Sequence, residues 1–416
     1  MKFLSNIPRG LLIFLGGIVV VVVIIVGYKF LFTPSSAGTN TGQKDFFSAL
    51  FPFGNSAQPS GSGDEASSTP LSNQKQTGEV PLLRHITDKI VSGAWFMEAA
   101  SSTTPPIIRY MQRENGNMFQ TPADSFNETR ISNTTVPGVL ELYAATDANL
   151  IVRYLDDSGV VGNFYGFVNA TSSQQSFNAL PIRRFDRISL QKDSSSILTV
   201  TSTNGTGRVD VSKADGTKLQ TIFVSPITSW VPLQGGSRNF LETAPSAAAL
   251  GYLYEIKNGA LSKIAGGLAG FTASVSPSGR FIAYSGNSAN GFSFSVLDTK
   301  TNATYASPIH AFAMKCAWVP NREPVLFCAV PKNPAPLAYP DDWLLGSATF
   351  ADDAWVIDPI HQSVYFIGTL ADENGTTIDA ENISIDKSGS YALFTNKKDL
   401  TAWSLKILEF VARVGG

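Results

Sequence analysis

The chain is poor in the residues on which metal sites and covalent catalysis depend. Among its 416 residues are 2 cysteines and 3 histidines. His85, His310 and His361 stand far apart, and neither His-Glu-x-x-His nor Cys-x-x-Cys occurs, so a zinc site has no sequence support. Gly-x-Ser-x-Gly and Gly-x-x-x-x-Gly-Lys-Ser/Thr are also absent, which removes the nucleophile elbow and the phosphate loop. Asp372-Glu373-Asn374-Gly375, with Asp379 and Glu381 close by, offers carboxylate oxygens but lacks the Asp-x-Asp-x-Asp-Gly register of a calcium loop. No metal and no organic cofactor is expected. An excess of one charge is missing too: 31 Lys and Arg face 33 Asp and Glu, for a net charge of −2. With no run of like charge there is no basic footprint, and nucleic acid is not an expected partner.

One long apolar run is present. Residues 10–28, between Arg9 and Lys29, are uncharged and mostly Leu, Ile, Val, Phe and Gly. About 20 such residues in a helix span a bilayer core, and only a helix satisfies its own backbone there. Lys29 can snorkel, which carries the predicted transmembrane helix to 10–32. A cleaved signal peptide is the competing reading, but its apolar region is about 7–15 residues and closely followed by small residues. Here Ser35-Ser36-Ala37 comes late, so an uncleaved anchor is expected. Lys2 and Arg9 place residues 1–9 in the cytoplasm and the rest of the chain outside. Residues 33–79 are rich in Ser, Gly, Pro, Thr and Gln, a composition that cannot offset the entropy of ordering, and read as a flexible linker.

From residue 80 to about 410 the pattern is short β-rich runs punctuated by Gly, Asn, Asp, Ser and Pro. One phrase returns. Residues 273–286, Ala-Ser-Val-Ser-Pro-Ser-Gly-Arg-Phe-Ile-Ala-Tyr-Ser-Gly, align ungapped with residues 383–396, Ile-Ser-Ile-Asp-Lys-Ser-Gly-Ser-Tyr-Ala-Leu-Phe-Thr-Asn. Similar hairpins begin near Gly93, Glu141, Ile188, Ser229, Ala273, Cys316 and Ile383, at intervals of 41 to 48 residues except the last, which holds an insertion. Blades of four strands repeat every ~40–45 residues. The fold class expected is therefore all-β, a seven-bladed β-propeller. Residues 80–87 are placed to complete the last blade, so that both ends of the chain close the ring and no raw sheet edge is left there. Two β-sandwiches are the competing architecture.

At Ser276-Pro277-Ser278-Gly279-Arg280-Phe281 the sequence resembles the repeat of TolB-type, WD-like propellers, whose blades turn on Ser-Pro-Asp-Gly before a basic residue and an apolar strand. Asp386-Lys387-Ser388-Gly389 is a looser match, and the Trp-Asp dipeptide of WD repeats is absent. The resemblance implies a propeller that binds other molecules in the cell envelope. It carries no catalytic residue.

Two features bear on a site. The insertion at 332–353 holds Tyr339, Asp341, Asp342, Trp343, Asp352 and Asp353. Long loops in compact domains tend to carry function, and aromatic and acidic side chains together suit a peptide or a glycan; these six are the candidate binding residues. A Pro-braced structural flap is the bland alternative, and paired carboxylates acting on a glycan the enzymatic one. Ala265-Gly266-Gly267-Leu268-Ala269-Gly270 reads as a turn between blades. Cys316 and Cys328 flank the centre of one predicted hairpin symmetrically, within disulfide reach, though two small buried side chains would fit as well. The function expected is a single-pass plasma-membrane protein. Its extracytoplasmic propeller is a non-catalytic binding or scaffold module for an envelope protein or glycan, with a glycan hydrolase as the alternative.

Overall fold

The computed structural model describes residues 78–98, 104–132, 134–169, 176–191, 196–289, 291–334 and 338–414. The cytoplasmic segment, the transmembrane helix expected at 10–32 and the linker up to residue 77 lie outside the described residues. Among the described residues no helix is long and apolar enough to cross a membrane.

The strands form seven four-stranded antiparallel sheets, the blades of a β-propeller. Blades 1 to 6 occupy residues 91–130, 139–181, 187–225, 231–269, 272–306 and 316–369 in chain order, and blade 7 combines 380–406 with 83–87. Their innermost strands are Val91–Met97, Val139–Ala144, Arg187–Ser189, Val231–Gly235, Thr272–Val275, Cys316–Trp318 and Ala380–Ile385. Six of the seven expected hairpin starts fall within these strands, and Ser229 sits two residues ahead of its own. Alternation explains the strands: in Gly291–Asp298, Phe292, Phe294 and Val296 are buried while the residues between them are half-buried.

Closure is by the N-terminal strand. Leu83–Thr87 pairs antiparallel with Ala402–Lys406, setting Leu83 opposite Leu405, Arg84 opposite Ser404 and His85 opposite Trp403. The His85 and Trp403 rings stack at 4.2 Å. Arg84 is buried and reaches into blade 1, donating to the Pro122 carbonyl at 2.7 Å and Thr121 Oγ1 at 2.9 Å. A strand that is nearest the linker in sequence is thus fixed to both blades beside the seam.

Each pair of neighbouring blades shares an apolar cluster. Blades 1 and 2 meet through Trp95, Met111, Val152 and Phe164; blades 2 and 3 through Ile151, Phe185 and Ile197; blades 3 and 4 through Val200, Val209 and Leu241. Blades 4 and 5 share Phe240, Leu253, Phe271 and Ile282, and blades 5 and 6 share Phe281, Phe294, Trp318 and Leu326. The cluster between blades 6 and 7 includes Phe327, Val356, Phe394 and Leu405, and the short helix Leu408–Val411 covers it with Phe410. Ile86 and Ala402 of blade 7 meet Val91, Ile108 and Tyr110 of blade 1. Burying one such side chain is worth about 1.5–3 kcal/mol, so these seams hold the ring together.

Candidate functional site

The innermost strands are not alike. In blade 1 the register moves from Val91 opposite Gln112 to Gly93 opposite Met111, leaving Ser92 as an extra residue. In blade 2 Val139 faces Tyr154 and Glu141 faces Arg153, leaving Leu140 extra. In blade 7 Glu381 faces Thr395 and Ser384 faces Leu393, so Asn382 and Ile383 share the space opposite Phe394. The innermost strands of blades 3, 4, 5 and 6 keep unbroken register. A bulge bends its strand, leaves backbone groups unpaired and re-aims side chains. The extra residues Ser92, Leu140, Asn382 and Ile383 all line one cavity of about 980 Å³, between the innermost strands of blades 7, 1 and 2.

The cavity wall is mixed. Glu141 Oε2 accepts from the Tyr143 hydroxyl at 2.7 Å and from Arg153 Nη1 at 2.9 Å. Burial, with the Glu141 carboxylate next in importance, pushes the Tyr143 phenol above its ordinary range, so it stays a neutral donor. Glu381 stands 3.4 Å from Lys397 Nζ. Asn382 has a left-handed φ of 54°, and its amide donates to Thr395 Oγ1 at 3.2 Å. Ser384 Oγ is buried without a hydrogen-bond partner, a state that native proteins rarely leave unexplained. At Gly93 the first two blades approach closely: a Cβ there would lie 3.1 Å from both Leu142 Cβ and the Leu142 carbonyl.

The insertion residues lie elsewhere. Tyr339 and Trp343 are buried, in one aromatic cluster with Phe292, Phe312 and Phe350. The Tyr339 carbonyl accepts from Asn287 Nδ2 of blade 5 at 2.8 Å. Asp341, which opens the short helix Asp341–Leu344, accepts from the Ala247 N–H of blade 4 at 2.5 Å. Asp342 accepts from the Ala338 N–H at 2.8 Å. Asp352 is wholly buried against Lys315, and Asp353 accepts from Thr369 Oγ1 at 2.7 Å and lies 3.7 Å from Lys332. The segment is a strap pinned to blades 4 and 5. Its aromatics pack inward against Phe292 and Phe312, which takes their apolar surface out of water, and its carboxylates cap the strap's own backbone and neighbours. None of the six lines the cavity of blades 7, 1 and 2.

Cys316 and Cys328 face each other directly across the first two strands of blade 6, joined by a disulfide of 2.08 Å. The glycine-rich stretch at 265–270 is not a turn between blades. It belongs largely to the outer strand Ala260–Ala269, where bulges opposite Gly251–Tyr252 and Leu253–Tyr254 absorb extra residues. Gly266, at φ 125°, passes so close to Gly251 that a Cβ would meet its carbonyl at 2.4 Å. Among the described residues no group of three or more His, Cys, Asp and Glu is placed to hold a metal ion.

No protein-family model matches the chain, and no curated protein sequence does. Solved structures do resemble it. TolB from Acinetobacter baumannii is similar at 9% identity over 75% of this chain and 63% of its own length, with a TM-score of 0.40. The β-propeller domain of the Trilobed protease from Pyrococcus furiosus is similar at 9% identity over 75% and 95% of the two chains, with a TM-score of 0.47. The Neurospora crassa Pan2 WD40 domain is similar at 12% over 76% and 89%, with a TM-score of 0.44. The chain spans less than two thirds of the TolB length. At these identities the likeness concerns the fold alone, and the propeller assignment stands on the strand pairing given above.

Sequence reasoning singled out the insertion and passed over the bulged strands. A bulge is a property of pairing: Ser92 and Leu140 are ordinary strand residues until their partners are known. Asn382 alone carried a local signal, since Asn tolerates the left-handed region that a bulge can require.

Proposed function

We propose that this protein is a membrane-anchored, extracytoplasmic binding module whose propeller takes up an extended peptide segment of an envelope protein in the cavity of blades 7, 1 and 2. The observation that carries the reading is the run of bulges in three consecutive innermost strands, each presenting its extra residue to that cavity. Unpaired backbone donors and acceptors in a groove are what an extended peptide backbone can satisfy. Ser384 Oγ, Tyr143 and Glu381 add side-chain partners, and Leu142 and Ile383 add apolar contact for alternate side chains. The apolar run at 10–28 supports the anchor, and the balance of Lys2 and Arg9 against Lys29 supports an outside location. A linker of that length and composition would span a root-mean-square ~35–40 Å if it behaved as a coil, so the partner would lie close to the membrane.

A photo-reactive amino acid at Ser384 of the full chain, in its own membranes, tests the cavity. Val224, exposed on the outer strand of blade 3, is the control position. The expected result is a protein adduct from Ser384 and none from Val224. No adduct at Ser384, or equal adducts at both, sinks the reading. Protease added to intact cells tests the topology separately: cleavage within residues 34–79 should release the propeller, and protection until the membrane is breached would reverse the orientation.

A further inference from the structure

Lys315 is fully buried, in the short 3₁₀ turn Ala313–Lys315 that leads into blade 6. Its ammonium lies 2.5 Å from Asp379 Oδ1, 2.6 Å from the Ala380 carbonyl and 2.9 Å from Asp352 Oδ2. Both aspartates are also fully buried. The Trp343 and Phe350 rings of the strap close the site, with centroids 5.0 and 5.3 Å from Nζ. Two features separate the carboxylates. Asp379 Oδ2 receives two further donors, the Phe350 N–H at 2.9 Å and Trp343 Nε1 at 3.0 Å. Asp352 Oδ1 is buried with no partner, while its Oδ2 receives the Ala380 N–H at 2.7 Å.

We propose that Lys315 and Asp379 condense, inside the folded propeller, to an intramolecular amide, with Asp352 moving the protons. The Lys315 amine attacks Asp379 Cγ, a new C–N bond forms, and a C–O bond breaks. The ammonium gives up two protons, passed through Asp352 to the departing oxygen, which leaves as water. One ammonium and one carboxylate therefore become one neutral amide and one water, with no oxidant, reductant or cofactor consumed. The tetrahedral intermediate carries its negative charge on Oδ2, where Phe350 N–H and Trp343 Nε1–H already point. Holding amine and carboxyl in contact supplies effective concentrations on the order of 10⁵–10⁸ M. Asp352 suits the proton transfer: burial pushes its carboxyl up to about 6 against the opposing pull of Lys315, so both of its forms are accessible near neutrality. The driving force is the cost of keeping a charged pair in a dry aromatic site, a cost that the neutral amide removes. The product ties the entrance of blade 6 to the first strand of blade 7, beside the Cys316–Cys328 disulfide.

Intact-mass spectrometry of the purified full chain, with disulfide reduced, decides the matter. The expected mass is one water below that of the linear chain, and digestion should yield one branched peptide joining Lys315 to Asp379. Asp379→Asn should still link but lose ammonia rather than water. Asp352→Asn should keep the native near-ultraviolet circular dichroism and stay unlinked. A wild-type chain at its linear mass overturns the proposal, whatever the variants do. A branch mapped to Asp352 overturns the assignment of roles, as does full linkage in Asp352→Asn.

Discussion

Blades 7, 1 and 2 differ from blades 4, 5 and 6 in how they use the same four-stranded unit. On the first side the innermost strands bulge, the wall between them is mixed in polarity, and a cavity remains. On the second side the innermost strands keep unbroken register, and a strap seals the surface with Tyr339, Trp343 and Phe350 over a buried Lys315. A propeller has rotational pseudo-symmetry, so any departure confined to consecutive blades marks a division of labour. The strap closes the one side to solvent, and the bulged side is where we propose that binding occurs. That division gives the two sides different sensitivities to the same kind of substitution.

The largest contrast should come from truncating one apolar side chain on each side. Phe350 packs on Phe292, Tyr339 and Trp343 and over the Lys315 ammonium. Phe350→Ala should destabilise by about 3–5 kcal/mol, since it leaves a large void among Phe292, Tyr339 and Trp343. Leu140 is half-buried at the cavity wall. Leu140→Ala enlarges a space that already exists and should cost only about 1 kcal/mol. Urea denaturation of both variants checks this; equal losses would mean that the cavity side is packed as tightly as the strap side.

A smaller contrast lies in the two turns whose sequences first announced the repeat. In blade 7 the turn carries its own carboxylate: Asp386 Oδ1 accepts from the Ser390 and Tyr391 N–H groups at 2.7 and 2.6 Å, and Oδ2 from the Ser388 N–H at 3.1 Å. In blade 5 Ser276 stands in that place and the carboxylate is borrowed. Glu323 of blade 6 accepts from the Ser278 N–H at 2.8 Å and from both the Ser276 and Ser278 hydroxyls. Blade 7 makes a weaker version of the same loan, with Glu98 of blade 1 accepting from the Lys387 N–H at 3.3 Å. Pro277, at the matching position, has no N–H to satisfy. Asp386→Ala should therefore cost about 1–3 kcal/mol. Glu323→Ala should fall near the Asp386 value. If Glu323→Ala is silent, the borrowed carboxylate is ornament and the two turns are not equivalent.

The repeat, the hairpin starts and the closing strand were legible because each is written in local alternation and turn chemistry. Ser-Pro-Ser-Gly and Asp-Lys-Ser-Gly both place glycine where φ is positive, at Gly279 (76°) and Gly389 (73°), and at Gly279 a Cβ would strike the Gly235 carbonyl at 2.3 Å. The cysteine pair was legible as a geometry, two residues equidistant from a turn. The strap was visible as an insertion, but its composition does not say which way Trp343 faces; that depends on Phe292 in blade 5 and Phe312 in the connection to blade 6. The Lys315–Asp379 contact spans 64 residues and carries no motif. Bulges depend on the partner strand, so the cavity they line could not be read from the chain alone.

The smallest contrast is in response to pH, within the regular side itself. Arg280 grips Asp298 through two bonds, Nε to Oδ1 at 3.0 Å and Nη2 to Oδ2 at 2.7 Å, and holds that carboxyl below its ordinary range. Glu242, at the seam of blades 4 and 5, is the opposite case. Burial drives its carboxyl well above the ordinary range, and neither the Ala273 N–H at 3.1 Å nor the charge of Arg187 offsets that. The folded chain therefore keeps the Glu242 proton at pH values where the unfolded chain has lost it. With fewer protons bound when unfolded, stability falls as pH rises from about 4, the ordinary glutamate value, towards the raised folded one. Asp298 acts in reverse, and the stability it adds is lost only as pH falls below about 4. Glu242→Gln keeps an oxygen to accept from Ala273 and has nothing to titrate, so it should flatten the decline above pH ~4 and leave the acid limb in place. Urea midpoints measured across that range would show it. A wild-type stability that climbs through the same range, or a Glu242→Gln profile that keeps the wild-type slope, would mean that water reaches this seam and that the regular side is less dry than the strap above it.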